Sequence, residues 1–304
     1  MTLSVCMIVR NEAAVLERCL EGVCLFADEI IIVDTGSDDA TKDIAARYTN
    51  KVYDYKWRDD FGSARNESYR YAACDYIMWA DADDVIDEEN AAKINALKKN
   101  LTAETESVNM IYDALETGGL IAQSRMVRRK TNPVWKGRLH EFIPLNHPAM
   151  QTDIRIYHRK TGPRDYARNI RIIRIMSDED FLESPRRAAD CWLDCFMSDE
   201  ISLADKLFRL CQGQAEDGID GEIWILFGDI LMKLKEYEAA IEWYKLAVFS
   251  REDNTVFSAY QRIVKCYFKL EKWEEARQYN EMALAARPDS RSALLNRIKL
   301  AKTR

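Results

Sequence analysis

Tyr76-Ile77-Met78-Trp79-Ala80-Asp81-Ala82-Asp83-Asp84 is an apolar strand that runs directly into three carboxylates. Open α/β sheets bind ligands outside the carboxyl ends of their strands, so this is where a site is expected. Asp81 and Asp83, one residue apart as the chain leaves the strand, face one side of a loop and offer hard oxygen ligands to Mn²⁺ or Mg²⁺. The plainer reading is a turn, with Asp87 capping the helix that starts at Glu88-Glu89-Asn90.

The preceding residues favour a site. Leu3 to Val9 reads as a buried strand, followed by an amphipathic helix from Glu12 to about Leu25. Glu29 to Asp34 is a second buried strand, closed by the turn residues Thr35-Gly36-Ser37-Asp38-Asp39. A strand at Val52 to Tyr55, a helix near Ser63 to Ala73 and the strand before Asp81 complete a β-α-β-α-β-α-β order. Such alternation predicts an α/β domain with a mainly parallel, Rossmann-like sheet and helices on both faces. Asn11, Asp34 and Asp81 then fall at the carboxyl ends of three strands, where one crevice collects them.

Four of these segments, in order, resemble the motifs of family-two inverting glycosyltransferases of the GT-A fold: Met7-Ile8-Val9-Arg10-Asn11-Glu12, Val33 to Thr41, Ala64-Arg65-Asn66-Glu67 and Trp79 to Asp84. Trp135-Lys136-Gly137-Arg138-Leu139-His140-Glu141 resembles the W-x-G-x-x-H-E segment of a subgroup that often carries C-terminal helical repeats. That subgroup includes bacterial glucosyltransferases of cell-surface glycans and peptide glycosyltransferases. The resemblance implies a UDP-sugar donor and Mn²⁺ or Mg²⁺. It assigns Asp34 to the nucleoside and Arg65 to the base and phosphates. Asp81 goes to the ribose and, with Asp83, to the metal. Val9, Asn11, Glu12 and Trp135 complete the donor site.

Inversion by a single displacement requires a base to accept the acceptor's proton. Glu141 and His140 are the leading candidates and Asp84 the third; the alternative for His140-Glu141 is a polar pair at a strand end. His158, in Ile154 to His158, is a further candidate metal ligand, against the plainer reading of a packed strand histidine.

The whole chain has 44 Lys and Arg against 51 Asp and Glu, a net charge of −7, which argues against nucleic acid or an anionic membrane as a bulk partner. Residues 125 to 174 reverse this, with 13 basic residues against three acids, Glu141, Asp153 and Asp165. A basic segment after a metal motif suits a departing nucleoside diphosphate.

The C-terminal part follows a different period. Ala204, Ala240 and Ala276 are spaced 36 residues apart. Trp224, Gly228, Ala240, Tyr244 and Ala247 form the best instance of W-x₂-[LF]-G followed by A-x₃-[FY]-x₂-A, which resembles the tetratricopeptide pattern. Ala188, Trp192, Ala204, Phe208 and Cys211 precede it, and Tyr260, Val264, Ala276, Asn280 and Ala283 follow. The expected division is a glycosyltransferase domain at 1–165, a linker helix region at 166–184 punctuated by Gly162-Pro163 and Pro185, and helical repeats at 185–304. The repeats are expected to form a homodimer or to hold a peptide, protein or glycan acceptor, with Trp243 and Trp273 as exposed aromatics for either duty. Alternatively, those two tryptophans pack between repeats.

No apolar run reaches the roughly 18 residues of a membrane span, and Met1 leads straight into a strand, so a cytoplasmic protein is expected. The eight cysteines contain no C-x-x-C pair and read as reduced, mostly buried thiols. A nucleotidyltransferase would also use Asp-bound metal, but Val9 to Glu12 stands where a Gly-rich triphosphate loop would be. A catalytically silent binding protein built on the repeats is the other alternative.

Overall fold

The computed structural model describes residues 1–114, 119–145, 147–159, 165–216, 221–250 and 253–302. The chain divides into two compact units, Met1–Asp165 and Tyr166–Arg304. The expected punctuation at Gly162-Pro163 lies outside the described residues.

In the first unit, β1 (Leu3–Val9) is almost wholly buried and pairs in parallel with β2 (Glu29–Asp34). Between them, α1 (Leu16–Val23) buries Leu16, Cys19, Leu20 and Val23, the i, i+3, i+4, i+7 stripe of a surface helix. It starts later than the apolar pattern implied, because Glu12 to Val15 form a turn in which the Glu12 carbonyl accepts from the amides of Val15 and Leu16. Next come α2 (Thr41–Tyr48), β3 (Val52–Asp54), α3 (Phe61–Arg70) and β4 (Tyr76–Ala80). Asp60 sets the start of α3 by accepting from the Ser63 amide at 2.8 Å.

After β4 come β5 (Asp84–Val85), α4 (Glu88–Asn100), β6 (Ser107–Ala114), β7 (Gly119–Arg128) and β8 (Met150–His158). Asp87 caps α4, as its position before Glu88 implied. The sheet order is β3-β2-β1-β4-β7-β6-β8-β5. The expected parallel order holds for β3, β2, β1 and β4. Beyond them the sheet is mixed, with β4–β7, β6–β7 and β5–β8 antiparallel. β5 follows β4 after three residues yet lies four strand positions away. Four residues reach at most about 14 Å, whereas four strand spacings in a flat sheet are about 19 Å. The sheet must therefore curl, bringing its far edge back toward the exit of β4.

Among the described residues, the second unit contains only helices: α5 (Tyr166–Ile175), α6 (Asp178–Leu182), α7 (Pro185–Met197), α8 (Ile201–Glu216), α9 (Glu222–Lys233), α10 (Tyr237–Ala247), α11 (Asp253–Lys269), α12 (Trp273–Ala286) and α13 (Arg291–Leu300). The segment expected as a linker, α5 and α6, packs onto α7: Ile170, Ile173 and Phe181 are buried, and Asn169 donates to Asp194 at 2.8 Å. The predicted repeat residues pack as the pattern requires. Ala240, Tyr244, Ala247, Ala276 and Ala283 are fully buried, and a Cβ on Gly228 would fall 2.4 Å from the Tyr244 ring. Of the two readings of Trp243, packing between repeats holds and exposure does not. It packs among Trp192, Phe208, Trp224 and Phe227 at centroid distances of 4.6 to 5.7 Å, because the joint between repeats needs large side chains to fill it. Trp273 is partly covered and stands edge-on to Phe268. The described cysteines carry no disulfide, and six of the eight are buried. Among the described residues, no helix is long and apolar enough to cross a membrane.

Candidate functional site

Three groups of side chains occupy the carboxyl edge of the first sheet. The first is built where β1 and β2 end side by side, Val9 in register with Asp34. The Val9 carbonyl accepts from the Thr35 amide at 2.9 Å and the Thr35 hydroxyl at 3.1 Å. Asn11 adopts a left-handed φ of 55°, and its Oδ1 accepts from the Asp38 amide at 2.9 Å. The Glu12 amide donates to Thr41 Oγ1 at 2.7 Å. Asp34 is buried, and one of its oxygens accepts from the amides of Gly36 and Ser37 at 2.9 and 2.8 Å. The other oxygen, Oδ2, has no hydrogen-bond partner and is a spare acceptor on a fixed carboxylate.

The second group forms where the chain leaves β4. Asp84 is fully buried; its Oδ2 accepts from the Asp81 amide at 3.0 Å and from Arg125 at 2.7 Å. The antiparallel β5–β8 pairing places Asp84 opposite His158. His158 Nδ1 then lies 3.3 Å from Asp83 Oδ1 and 3.7 Å from Asp84 Oδ1. One ligand atom from each of Asp83, Asp84 and His158 lies within 4.8 Å of the others. His158 Nδ1 and Asp84 Oδ1 are buried without a hydrogen-bond partner. Two carboxylate oxygens and an imidazole nitrogen, two of them unsatisfied, form a donor set that fits Mn²⁺ or Mg²⁺. Burial opposes a charge on His158, but contact with Asp83 and Asp84 raises its pKa to about 9.

Asp81, read from sequence as a metal ligand, stands apart from this trio. Its Oδ1 accepts from Arg65 at 2.9 Å. Burial works against its charge, but Arg65 and Arg125 hold its carboxyl below the usual range. Asp84, the third candidate base, has no exposed surface and is held by Arg125 and the Asp81 amide.

The third group joins α3 to the Trp135–Glu141 segment. Asn66 and Trp135 exchange two hydrogen bonds, side-chain amide to carbonyl at 2.9 Å and backbone amide to Asn66 Oδ1 at 2.8 Å. The Phe61 amide donates to the Arg138 carbonyl at 2.8 Å. Gly62 approaches so closely that a Cβ there would lie 2.5 Å from the Gly137 carbonyl oxygen. Arg65 Nε donates to Glu141 Oε1 at 2.6 Å. The same guanidinium lies 4.9 Å from the Trp79 ring and 5.0 Å from the Trp135 ring. Burial disfavours the Arg65 charge, yet Asp81 and Glu141 hold it firmly protonated. His140 turns at a left-handed φ of 51°. A cavity of about 360 Å³ opens here, lined by Arg65, Trp79, Asp81, Trp135, His140 and Glu141 among others.

The sequence signature described as glycosyl transferase family 2 matches residues 4–171, more than half the chain. This chain belongs to glycosyl transferase family 2. A tetratricopeptide repeat signature matches residues 221–254, covering the pair α9 and α10. A TPR repeat-containing protein of Synechococcus elongatus is 28% identical over 275 residues, covering 85% of this chain and 64% of the relative. The SPbeta prophage-derived glycosyltransferase SunS of Bacillus subtilis is 30% identical over 175 residues, covering 54% of this chain and 41% of that protein. The chain thus spans less than two thirds of either relative's length. Among solved structures, S. aureus TarS 1-349 in complex with UDP-GlcNAc superposes with a TM-score of 0.45 at 15% identity, covering 91% of this chain and 92% of that one.

Within this family-two domain, the structure gathers Arg65, Asp81, Trp135, His140 and Glu141 around one cavity, and Asp83 with His158 in the trio. Val9, Asn11, Glu12 and Asp34 line the neighbouring strand ends. Arg125 does not stand out in the sequence, being one of thirteen basic residues between 125 and 174. It is fully buried, stacks 3.6 Å from the Trp79 ring centroid and donates to Gln123 at 2.9 Å. The clue was its place in β7, an arginine one residue before the apolar pair Met126-Val127. Asn66 lies within the Ala64–Glu67 motif, but its two bonds to Trp135 have no local signal. Tyr112, whose ring lies 5.2 Å from that of His158, gave no sequence signal.

Proposed function

We propose that this chain transfers a hexose or N-acetylhexosamine from a UDP-sugar, with inversion and with Mn²⁺ or Mg²⁺, to a peptide, protein or cell-surface glycan acceptor. One observation carries the reading: the four residues Asp81–Asp84 supply both the Arg65-bound carboxylate of the 360 Å³ cavity and two members of the donor trio. A diphosphate donor needs a cation beside a polar sugar pocket, and this strand exit supports both. The relative named as a glycosyltransferase, 30% identical over 175 residues, supports the same class.

Asp83, Asp84 and His158 would hold the cation, which when bound offsets the charge that develops on the departing diphosphate. The unpartnered Asp34 oxygen and the Asn11 turn serve the nucleoside. Arg65 orients Asp81 and Glu141 together, and Trp79 and Trp135 wall the cavity. Glu141 accepts the acceptor's proton, oriented by the Arg65 Nε bond, with His140 beside it. The helical repeats hold the acceptor or join two copies in a homodimer, which the sedimentation mass of the purified chain distinguishes from a monomer.

The test is calorimetric titration of UDP, GDP and CDP into the protein with Mn²⁺ and with chelator. Metal-dependent binding of UDP alone supports the reading, and absence of nucleotide binding overturns it. Glu141→Gln should then cut turnover while leaving UDP affinity nearly unchanged; a parallel loss of affinity would make Glu141 a binding residue.

A further inference from the structure

Gln123 lines the cavity of about 360 Å³, and the transfer chemistry gives it no duty. It comes from β7, whose pairing with β6 slips: Val108 lies opposite Met126 but Asn109 opposite Ser124, which leaves Arg125 as an extra residue. Such a bulge redirects side chains. Arg125 turns into the interior, and its Nε donates to Gln123 Oε1 at 2.9 Å. A guanidinium has only donors, so the Gln123 oxygen must face it and the Nε2 amide must point away. Among the described residues, no group accepts from Nε2. The anchor is rigid, since Arg125 is also held by Asp84 at 2.7 Å and lies 3.6 Å from the Trp79 ring centroid.

The other walls differ in kind. Asp81 and Glu141 each give one oxygen to Arg65 and keep a second, an acceptor suited to sugar hydroxyls. Trp79, Trp135 and Ile143 pack together as an apolar wall, with Trp79 fixed by donation from its Nε1 to the Ser124 carbonyl at 2.8 Å. We infer that Gln123 selects the donor sugar by donating from Nε2 to the carbonyl of an acetamido group whose methyl rests on that wall. The substrate class is then an N-acetylhexosamine rather than an unsubstituted hexose. A carbonyl oxygen only accepts, so it needs the fixed amide donor and is poorly served by the two carboxylates. A hydroxyl in its place would take the amide bond but leave the apolar wall against water. The inference rests on the transferase reading above and narrows it.

The experiment is calorimetric titration of the full chain, in Mn²⁺, with UDP and with two matched pairs of donors. The pairs are UDP-N-acetylglucosamine with UDP-glucose and UDP-N-acetylgalactosamine with UDP-galactose. In at least one pair the acetamido donor should bind about fivefold or more tighter, from the buried methyl and the amide bond together. Gln123→Glu keeps the length and the bond to Arg125 but replaces the donor by an acceptor. It should abolish or reverse the preference, while UDP affinity stays within about threefold. Gln123→Met, of the same length and uncharged, should also lose the preference, and melting temperatures establish that the variants are folded. Equal or tighter binding of the hexose in both pairs, or a preference unchanged in the folded variants, overturns this inference while UDP binding keeps the transferase reading. Failure of UDP itself to bind overturns both.

Discussion

Arg125 and Asp84, 41 residues apart in sequence, form a wholly buried ion pair with Nη1 2.7 Å from Oδ2. The pair joins β7 to the donor trio, because Asp84 also receives the Asp81 amide and faces His158. Removing one member of such a pair strands an uncompensated charge in a dry interior. Arg125→Met should therefore destabilise the first unit by about 3–5 kcal/mol. Urea unfolding followed by tryptophan fluorescence measures this, and a loss below about 1 kcal/mol would show that Asp84 is neutral or hydrated there.

Asn66 fastens the Trp135 backbone to α3 through two hydrogen bonds, each worth about 1 kcal/mol net. Asn66→Ala should cost about 1–3 kcal/mol and loosen the Trp135–Glu141 segment. Limited trypsin digestion should then cut faster after Lys136 or Arg138. Gly62→Ala should act on the same joint through the short approach to the Gly137 carbonyl. Unchanged cleavage in both variants would show that another contact holds the segment.

Asp83→Ala should abolish Mn²⁺ binding with the fold intact, and His158→Gln should weaken it about tenfold or more. Because His158 is protonated below a pKa of about 9, a cation must displace that proton. Affinity should rise as pH increases toward 9, with proton uptake by the buffer. Calorimetry in two buffers of different ionisation enthalpy measures the released proton. Equal apparent enthalpies would show that His158 is not a ligand.

Acid should loosen the start of β1. Asp75 accepts from the Thr2 amide and hydroxyl, which lower its pKa from 3.8. Burial opposes the charge of Asp28, but Lys98 and the Leu3 amide lower its pKa as well. A depressed carboxylate contributes stability that is present above its unfolded pKa, near 4, and lost as pH falls through the folded value. Melting temperature should therefore drop between pH 4 and pH 2, and drop less steeply in the Asp28→Asn, Asp75→Asn double variant. Parallel curves for the two proteins would assign the acid loss to other carboxylates.

The features legible in the sequence were those with short-range causes. The apolar runs at Leu3–Val9, Glu29–Asp34 and Tyr76–Ala80 marked buried strands because a strand covered on both faces has no polar side. The helix cap at Asp87 and the Gly228 and Tyr244 contact followed from local offsets and a repeat period. Element ends were less legible. The residues from Glu12 to Val15 share the apolar pattern of α1, but backbone bonds to the Glu12 carbonyl make them a turn.

The sequence by itself determined the alternation of strands and helices, the placing of Asp34 and Asp81 at strand ends, and the stacking of helical pairs, since each depends on periodicity within one element or one repeat. Only the tertiary structure decided that Asp84, rather than Asp81, joins Asp83 and His158, and that Arg125 lies beneath them. Those partners are set by the curl of the sheet and by the β5–β8 register, which a one-residue slip would reverse. The register is decided by which distant faces are buried together, a property of the packed sheet that no local run of residues encodes.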